Sequence, residues 1–326
     1  MRYLETGSLD AAYNLAFEEY VLDHCREGDF LILWQNENTV VVGQNQNPAE
    51  EIDPVWVEKH GTRVIRRVTG GGAVYHDMGN LNYSFITDSG EGETLSLMAF
   101  AASVAEALCK LGLPAEVSGR NDILVAGKKV SGTAQCLRKG RLLHHGTLLF
   151  DSDPEKIAGA LRADPEKFIS KSTKSVRSRV GNIREHLPVD MDMPAFRAFL
   201  RQHYTGDAPM ESLGEEALAA VRRLKEEKYD TWEWTWGRAP KYGMTNRCRF
   251  AGGSLAVSLK AEEGRIAEIT FRGDFLSRKD TEEVAEALRG LPCRREDVSA
   301  VLKTFLLSDY FGAVTAEELL QTICGT

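Results

Sequence analysis

The sequence predicts an α+β protein, with a large domain of mixed and antiparallel sheets flanked by helices and a small α+β domain behind it. Two observations carry this. The strand-like runs DILVA (122–126), VSGTAQCL (130–137) and HHGTLLF (144–150) follow one another across short turns with no helix between them, which suits an antiparallel meander rather than a βαβ series. Composition also changes after GRAPKYG (237–243), where alternating strand patterns and capped helices begin afresh. At 326 residues the chain is long enough for two domains, expected over 1–244 and 245–326.

The elements follow in order. Asp10 is placed as N-cap of an amphipathic helix running to about His24. FLILW (30–34) and TVVVG (39–43) flank the polar turn QNEN and read as a strand pair. VWVEKH, after Pro54, is a short helix stopped by Gly61, and strands follow at RVIRR and LNYSFI. Leu95 to Leu111 is an apolar helix ended by Gly112, with Pro114 beyond.

Past the meander, a helix is expected near Pro194 and another from about Glu215 to Lys228, with Ser212 and Glu215 at capping-box spacing. Tryptophan at 232, 234 and 236 places all three on one face of a strand. The tail carries two or three strands and helices at about 280–290, 295–307 and 315–323. Asp280/Glu283 and Thr315/Glu318 stand there as capping boxes.

Hydrophobic residues make up 43% and charged residues 27%, as in ordinary globular proteins, and no apolar run approaches the roughly 18 residues of a membrane span. MRYLETGSLDAAYN lacks the basic and apolar regions of a signal peptide, so a cytoplasmic location is expected. The six scattered cysteines form no CxxC pair and read as reduced. A net charge of -8 argues against a general nucleic-acid binder. Against that balance, residues 162–184 hold seven Lys or Arg and two acids, a basic block suited to an anionic ligand or an acidic partner.

Three stretches could carry chemistry. RRVTGGG (66–72) sets two arginines before bare backbone, whose amides can form an anion-binding concavity. In GRNDILVAGKKVSG (119–132), a turn lysine beside Ser131 and Gly132 can neutralise a carboxylate and a phosphate together, unless both lysines simply lie in solvent. HHGT (144–147) offers two histidines for ligand contacts, without a carboxylate at metal spacing. The Rossmann fingerprint fails because Tyr75 stands where its last glycine belongs. The P-loop fails because Asp122 and Lys129 replace its first glycine and its hydroxyl residue.

RRVTGGGAVYHDMGN, GRNDILVAGKKVSGTAQ, HHGTLLF and SVRSRVGN, in this order and spacing, closely resemble the lipoate–protein ligase A family, and WEWTWGRAPKY and the tail extend the likeness over nearly the whole chain. The resemblance implies a biotin/lipoate ligase-like catalytic domain and a C-terminal accessory domain. It implies that ATP with Mg²⁺ activates (R)-lipoate to lipoyl-AMP with release of pyrophosphate. The lipoyl group then passes to a lysine of lipoyl domains, in E2 subunits or the glycine cleavage H protein.

Carried over by motif, Lys129 is the catalytic lysine, contacting the lipoate carboxylate and the α-phosphate. Arg67, Gly71, Gly72, Ala73, Val74 and Tyr75 would bind ATP and the adenylate, as would Asn80, Asn121, Asp122, Ser178 and Arg179. Arg67, Gly72, His76, Lys129, Gly132 and His145 would meet lipoate. Magnesium would be held mainly by phosphates, with Asp122 the protein ligand. A monomer without nucleic-acid or membrane partners is expected. Three alternatives stay open: a same-fold transferase using a cysteine thioester at Cys136, a biotin ligase, and a non-catalytic lipoate-binding module.

Overall fold

The computed structural model describes residues 1–89, 97–119, 122–162, 180–238, 242–250, 253–273 and 278–324. The chain divides into two compact units, 1–46 with 60–231, and 47–59 with 232–326.

The first unit is built on an eight-stranded sheet. Its strands are β1 (Arg2–Glu5), β2 (Phe30–Trp34), β6 (Asn80–Asp88), β7 (Ala115–Ser118), β8 (Asp122–Val125), β9 (Lys128–Arg138), β10 (Arg141–Leu149) and β11 (Met210–Glu211). They lie in the order β11-β1-β2-β6-β10-β9-β8-β7. β1 runs parallel to β2 and β11, and the remaining pairs are antiparallel, so the expected meander forms β7 through β10. A small second sheet joins β3 (Thr39–Val42) in parallel to β4 (Arg63–Arg66) and antiparallel to β5 (Val74–His76).

FLILW and TVVV therefore do not pair with each other. Every residue of both strands is buried, so each needs cover on both faces, and they enter two different sheets. Asn38, at φ 24°, turns the chain between them.

Helix α1 (Ala11–His24) opens as expected, with the Asp10 side chain accepting from Ala12 N. It is not amphipathic: Asn14, Glu18 and Glu19 are buried with its apolar residues. These polar groups have partners inside the fold. Glu19 accepts from Lys228, Tyr229 and Arg138. The other sheet face packs on the helix Leu97–Lys110 and on Phe196 and Leu200 of the helix Met193–Thr205.

The ladder between β8 and β9 slips by one residue. Ile123 faces Ser131 while Leu124 faces Lys129, leaving Val130 as an extra residue.

In the second unit, β12 (Tyr242–Phe250), β13 (Gly253–Glu262) and β14 (Arg265–Gly273) form an antiparallel sheet with its own apolar core. Helices span Glu282–Leu288, Arg295–Leu302, Leu307–Phe311 and Ala316–Cys324. The Thr315/Glu318 capping box is present in both directions. At the first helix Asp280 accepts from Glu282 N, but Glu283 does not close a box, because its carboxylate accepts from Tyr310 instead. The helix Glu215–Leu224 likewise starts on Gly214 without a side-chain cap, so Ser212 does not fill that role.

The tryptophans are not on a strand. Glu233–Gly237 is a π-helical turn, which leaves Trp234 buried with the Arg238 guanidinium 4.7 Å above its ring. A five-residue alternation fits a strand face, but a helical turn also brings residues four apart back to one side. No disulfide joins the six cysteines.

Candidate active site

A cavity of about 480 Å³ lies between the two sheets of the first unit. Strand pairing writes its floor. Trp34, Asn82 and Thr147 stand in one row across β2, β6 and β10, and the row of Ser84 and His145 continues to Ala134 of β9. With period-two alternation these residues share one face. Opposite them, Val41, Val74, His76 and the glycine loop supply the other wall.

The glycine loop is wrapped round Arg67. That buried side chain donates from Nε to Thr69 Oγ1 at 2.9 Å and from Nη1 to Val41 O at 3.1 Å. From Nη2 it donates to Gly70 O at 2.7 Å and Gly72 O at 2.9 Å. Drawing these carbonyls toward the guanidinium fixes the loop around a buried charge. Burial lowers the Arg67 pKa from its usual range to about 10, with the Glu18 charge opposing that shift.

Gly71 adopts φ +94°, a conformation that favours glycine. Its carbonyl lies so close to Gly43 that a Cβ there would sit 2.1 Å from the Gly71 oxygen. Arg66 points the other way, donating to the carbonyls of Gly43, Gln44 and Gln46 at 2.7–2.9 Å. The two adjacent arginines thus clamp the two sides of one crossing.

Lys129 lines the cavity from the edge of β9. Its Nζ is 2.7 Å from Asp122 Oδ1 and rests against Gly132, whose built Cβ would lie 3.4 Å from it. Lys128 turns elsewhere, with Nζ 3.5 Å from Glu185. One lysine of the pair is therefore delivered to the cavity.

The histidines differ in role. His145 lines the cavity and is held at both nitrogens, Nδ1 2.8 Å from Glu18 Oε1 and Nε2 2.7 Å from Thr69 Oγ1. His76 receives the Asn36 amide at Nδ1 at 3.0 Å, so its Nε2 carries the hydrogen. Burial, aided by the positive charge of Arg67, pushes its pKa down to about 3. His144 lies on the opposite face, stacked on Phe100 with centroids 4.8 Å apart, and burial drives it also to about 3. Both stay neutral at pH 7.

Of the residues expected at the site, the structure brings Arg67, Gly71, Gly72, Ala73 and Val74 to this cavity. His76, Asp122, Lys129, Gly132 and His145 join them. Tyr75 is not among its lining residues and donates from its hydroxyl to Asn38 Oδ1 at 2.9 Å. Asn80 is buried and not among the lining residues, its amide donating to Asn82 Oδ1 at 2.9 Å. Asn121, Ser178, Arg179 and most of the basic block lie outside the described residues.

Sequence reasoning missed Glu18, Thr69, Gly43, Trp34, Asn82 and Thr147. Glu18 had one signal, a carboxylate directly after the apolar run Leu15-Ala16-Phe17 of the helix. Thr69 stood inside a motif whose glycines drew the attention.

Residues 10–205 match the Lipoyl protein ligase A/B catalytic domain family, and residues 239–323 match the Bacterial lipoate protein ligase C-terminus family. The chain belongs to the lipoate–protein ligase family.

It is 40% identical over 320 residues to the lipoate-protein ligase LplJ of Bacillus subtilis, covering 96% of this chain and 97% of the relative. A bipartite lipoate protein ligase of Thermoplasma acidophilum, described together with its E2 lipoyl domain, superposes with TM-score 0.64 at 30% identity, over 74% of this chain and 98% of that one. A lipoate-protein ligase A with bound ATP superposes with TM-score 0.63 at 28% identity, over 72% and 97%. The fold expected from the resemblance, a lipoate ligase-like domain with a small C-terminal domain, is the one found.

Proposed function

We propose that this cavity activates lipoate with ATP and then presents lipoyl-AMP to the lysine of an acceptor lipoyl domain. The observation that carries the assignment is Lys129, its ammonium at the cavity wall beside Asp122 and bare Gly132, facing the amide-rich glycine loop.

In the first step a lipoate carboxylate oxygen attacks the α-phosphorus. An O–P bond forms, the bridging P–O bond breaks, and pyrophosphate leaves. Carboxylate and triphosphate repel each other, and an ammonium between them lowers that barrier without being acylated. In the second step the neutral acceptor amine attacks the acyl carbon, AMP leaves, and the amide forms. The apolar wall of Leu15, Trp34, Val41 and Val74 suits the aliphatic tail, while Gly71, Gly72 and Ala73 offer backbone to the nucleotide.

Mg²⁺ fits this donor set as an ion carried by phosphates. Asp122 is the carboxylate among the described lining residues, and no group of three potential ligands occurs among the described residues. Bound there, the ion would offset triphosphate charge, with Asp122 as its protein ligand.

The acceptor is taken to be an E2 subunit or the H protein, steered by the basic block 162–184. Residues 1–244 are taken to carry catalysis and 245–326 the accessory role, in a monomeric cytoplasmic enzyme. No helix among the described residues is long and apolar enough to cross a membrane.

Cys136 speaks against the thioester alternative. It is not among the cavity's described lining residues, and burial pushes its thiol up to about 12, where the nucleophilic thiolate is negligible at neutral pH.

The test is pyrophosphate release from Mg-ATP with lipoate, octanoate or biotin as acid. Release with lipoate, and none with biotin, is expected. Silence with lipoate, or acyl transfer that needs no ATP, would overturn the assignment.

A further inference from the structure

A buried polar chain runs from α1 to the glycine loop. Glu18 is 1% exposed, and its Oε1 lies 2.8 Å from His145 Nδ1 and 2.5 Å from the Ser84 hydroxyl. Ser84 in turn receives the Trp34 indole N–H at 2.9 Å. His145 Nε2 lies 2.7 Å from Thr69 Oγ1, and Thr69 accepts from Arg67 Nε at 2.9 Å. Arg67 then holds Gly70 O and Gly72 O.

The donor count gives the chain a direction. Thr69 accepts the Arg67 N–H with one lone pair, so its single hydrogen is free for His145 Nε2. A neutral His145 must then carry its own hydrogen on Nδ1, facing the Glu18 carboxylate. Every link is thereby satisfied in one tautomer. A buried guanidinium and a buried carboxylate stand at the two ends of the chain, with Thr69 and His145 between them. A lone buried guanidinium would be costly, and the carboxylate supplies its counter-charge.

We infer that Glu18 and Thr69 are positioning residues, which through His145 and Arg67 hold the Gly70–Gly72 loop in its nucleotide-receiving shape before any substrate binds. The inference rests on the proposed adenylation at this cavity, but it concerns how the loop is preorganised. β4 ends at Arg66 and β5 begins at Val74. Backbone bonds tie Arg67 N to Val42 O and Gln44 N to Thr69 O, while the carbonyls of Gly70 and Gly72 are held by the Arg67 side chain. The loop carbonyls are held by Arg67, and Arg67 by Thr69 and the charge behind it.

The experiment reads the ligand-free protein first. Amide hydrogen exchange at residues 70–73 is compared in wild type, Glu18→Gln, Thr69→Val and Thr69→Ser. Glu18→Gln and Thr69→Val should speed loop exchange at least about tenfold while the β6–β10 ladder stays protected, and Thr69→Ser, which keeps the hydroxyl, should restore slow exchange. Pyrophosphate release should then show a raised KM for Mg-ATP in the first two variants and a near-normal one in Thr69→Ser. If Glu18→Gln fails to fold, the Thr69 pair still decides the matter.

Unchanged loop exchange in Thr69→Val, or equal acceleration in Thr69→Ser, overturns the inference. Exchange needs no substrate, so a wild-type protein inactive with lipoate would sink the adenylation reading while leaving the loop result standing.

Discussion

Gly43→Ala tests the close approach of the glycine loop to the end of β3 without touching the glycine triplet. A methyl at residue 43 would lie 2.1 Å from Gly71 O, 3.1 Å from Gly71 C and 3.3 Å from Arg67 Nη2. Restoring ordinary contact at 3.4 Å moves the Gly71 carbonyl by about 1.3 Å. Flexible side chains cannot absorb this shift, because both colliding Gly71 atoms are backbone. β3 is wholly buried and bonded on both edges, so the loop yields rather than the strand.

Displacing catalytic positioning by about 1 Å costs on the order of 100-fold in rate, or about 2.7 kcal/mol of barrier. The assay is kcat/KM for pyrophosphate release with lipoate, alongside a thermal melt to separate unfolding from misplacement. The expected result is a loss of about 100-fold in a folded protein. Wild-type kcat/KM in Gly43→Ala would refute both the close approach and the loop's part in catalysis.

Four further outcomes are expected. Lys129→Ala should lose about 3 to 4 kcal/mol of transition-state stabilisation in adenylation, by analogy with lost oxyanion donors, whereas Lys128→Ala should retain activity; equal losses would place the wrong lysine at the site. His76 and His144 have pKa values near 3 in the folded protein, below the roughly 6.5 of an unfolded chain. Below that value the unfolded state takes up protons that the native state refuses. Their contribution is therefore complete above about pH 6.5 and falls by about 1.4 kcal/mol per pH unit for each histidine toward pH 3; urea midpoints that stay level from pH 6.5 to 5 would contradict their burial as neutral rings. Thr315→Ala removes a reciprocal cap and should destabilise the second unit by about 1 kcal/mol in denaturant melts, with adenylation unchanged. Cys136→Ser should keep ATP-dependent lipoylation, and its loss would revive the thioester route.

The sequence was most legible where function and fold are local. RRVTGGG and KKVSG were visible as charge beside bare backbone, and the meander was visible because its turns are too short for crossover helices. Less legible was anything decided by strand partners far apart in sequence. Trp34, Asn82 and Thr147 share a floor row because β2, β6 and β10 are neighbours, a fact absent from each segment's pattern. Glu18 falls in a helix expected to be amphipathic, where an inward carboxylate is indistinguishable until His145 and Ser84 are brought to it. Arg67 was expected to touch ligand directly; the structure places it in the cavity lining and shows it donating to Thr69, to Val41 O and to the carbonyls of Gly70 and Gly72. The tryptophan alternation misled because a short period-two run does not exclude a helical turn.

The one-residue slip in the β8–β9 ladder decides which lysine lines the cavity. In an unbroken strand, side chains two apart share a face, so Val130 and Lys128 would accompany Gly132 toward the cavity. The extra residue reverses that parity: Val130 enters the core at 0% exposure and Lys129 swings over Gly132. Selection between two chemically identical neighbours is thus made by counting along a backbone. A one-residue shift of register at this turn would exchange them, leaving composition, charge and motif order intact while turning Lys129 away from the cavity.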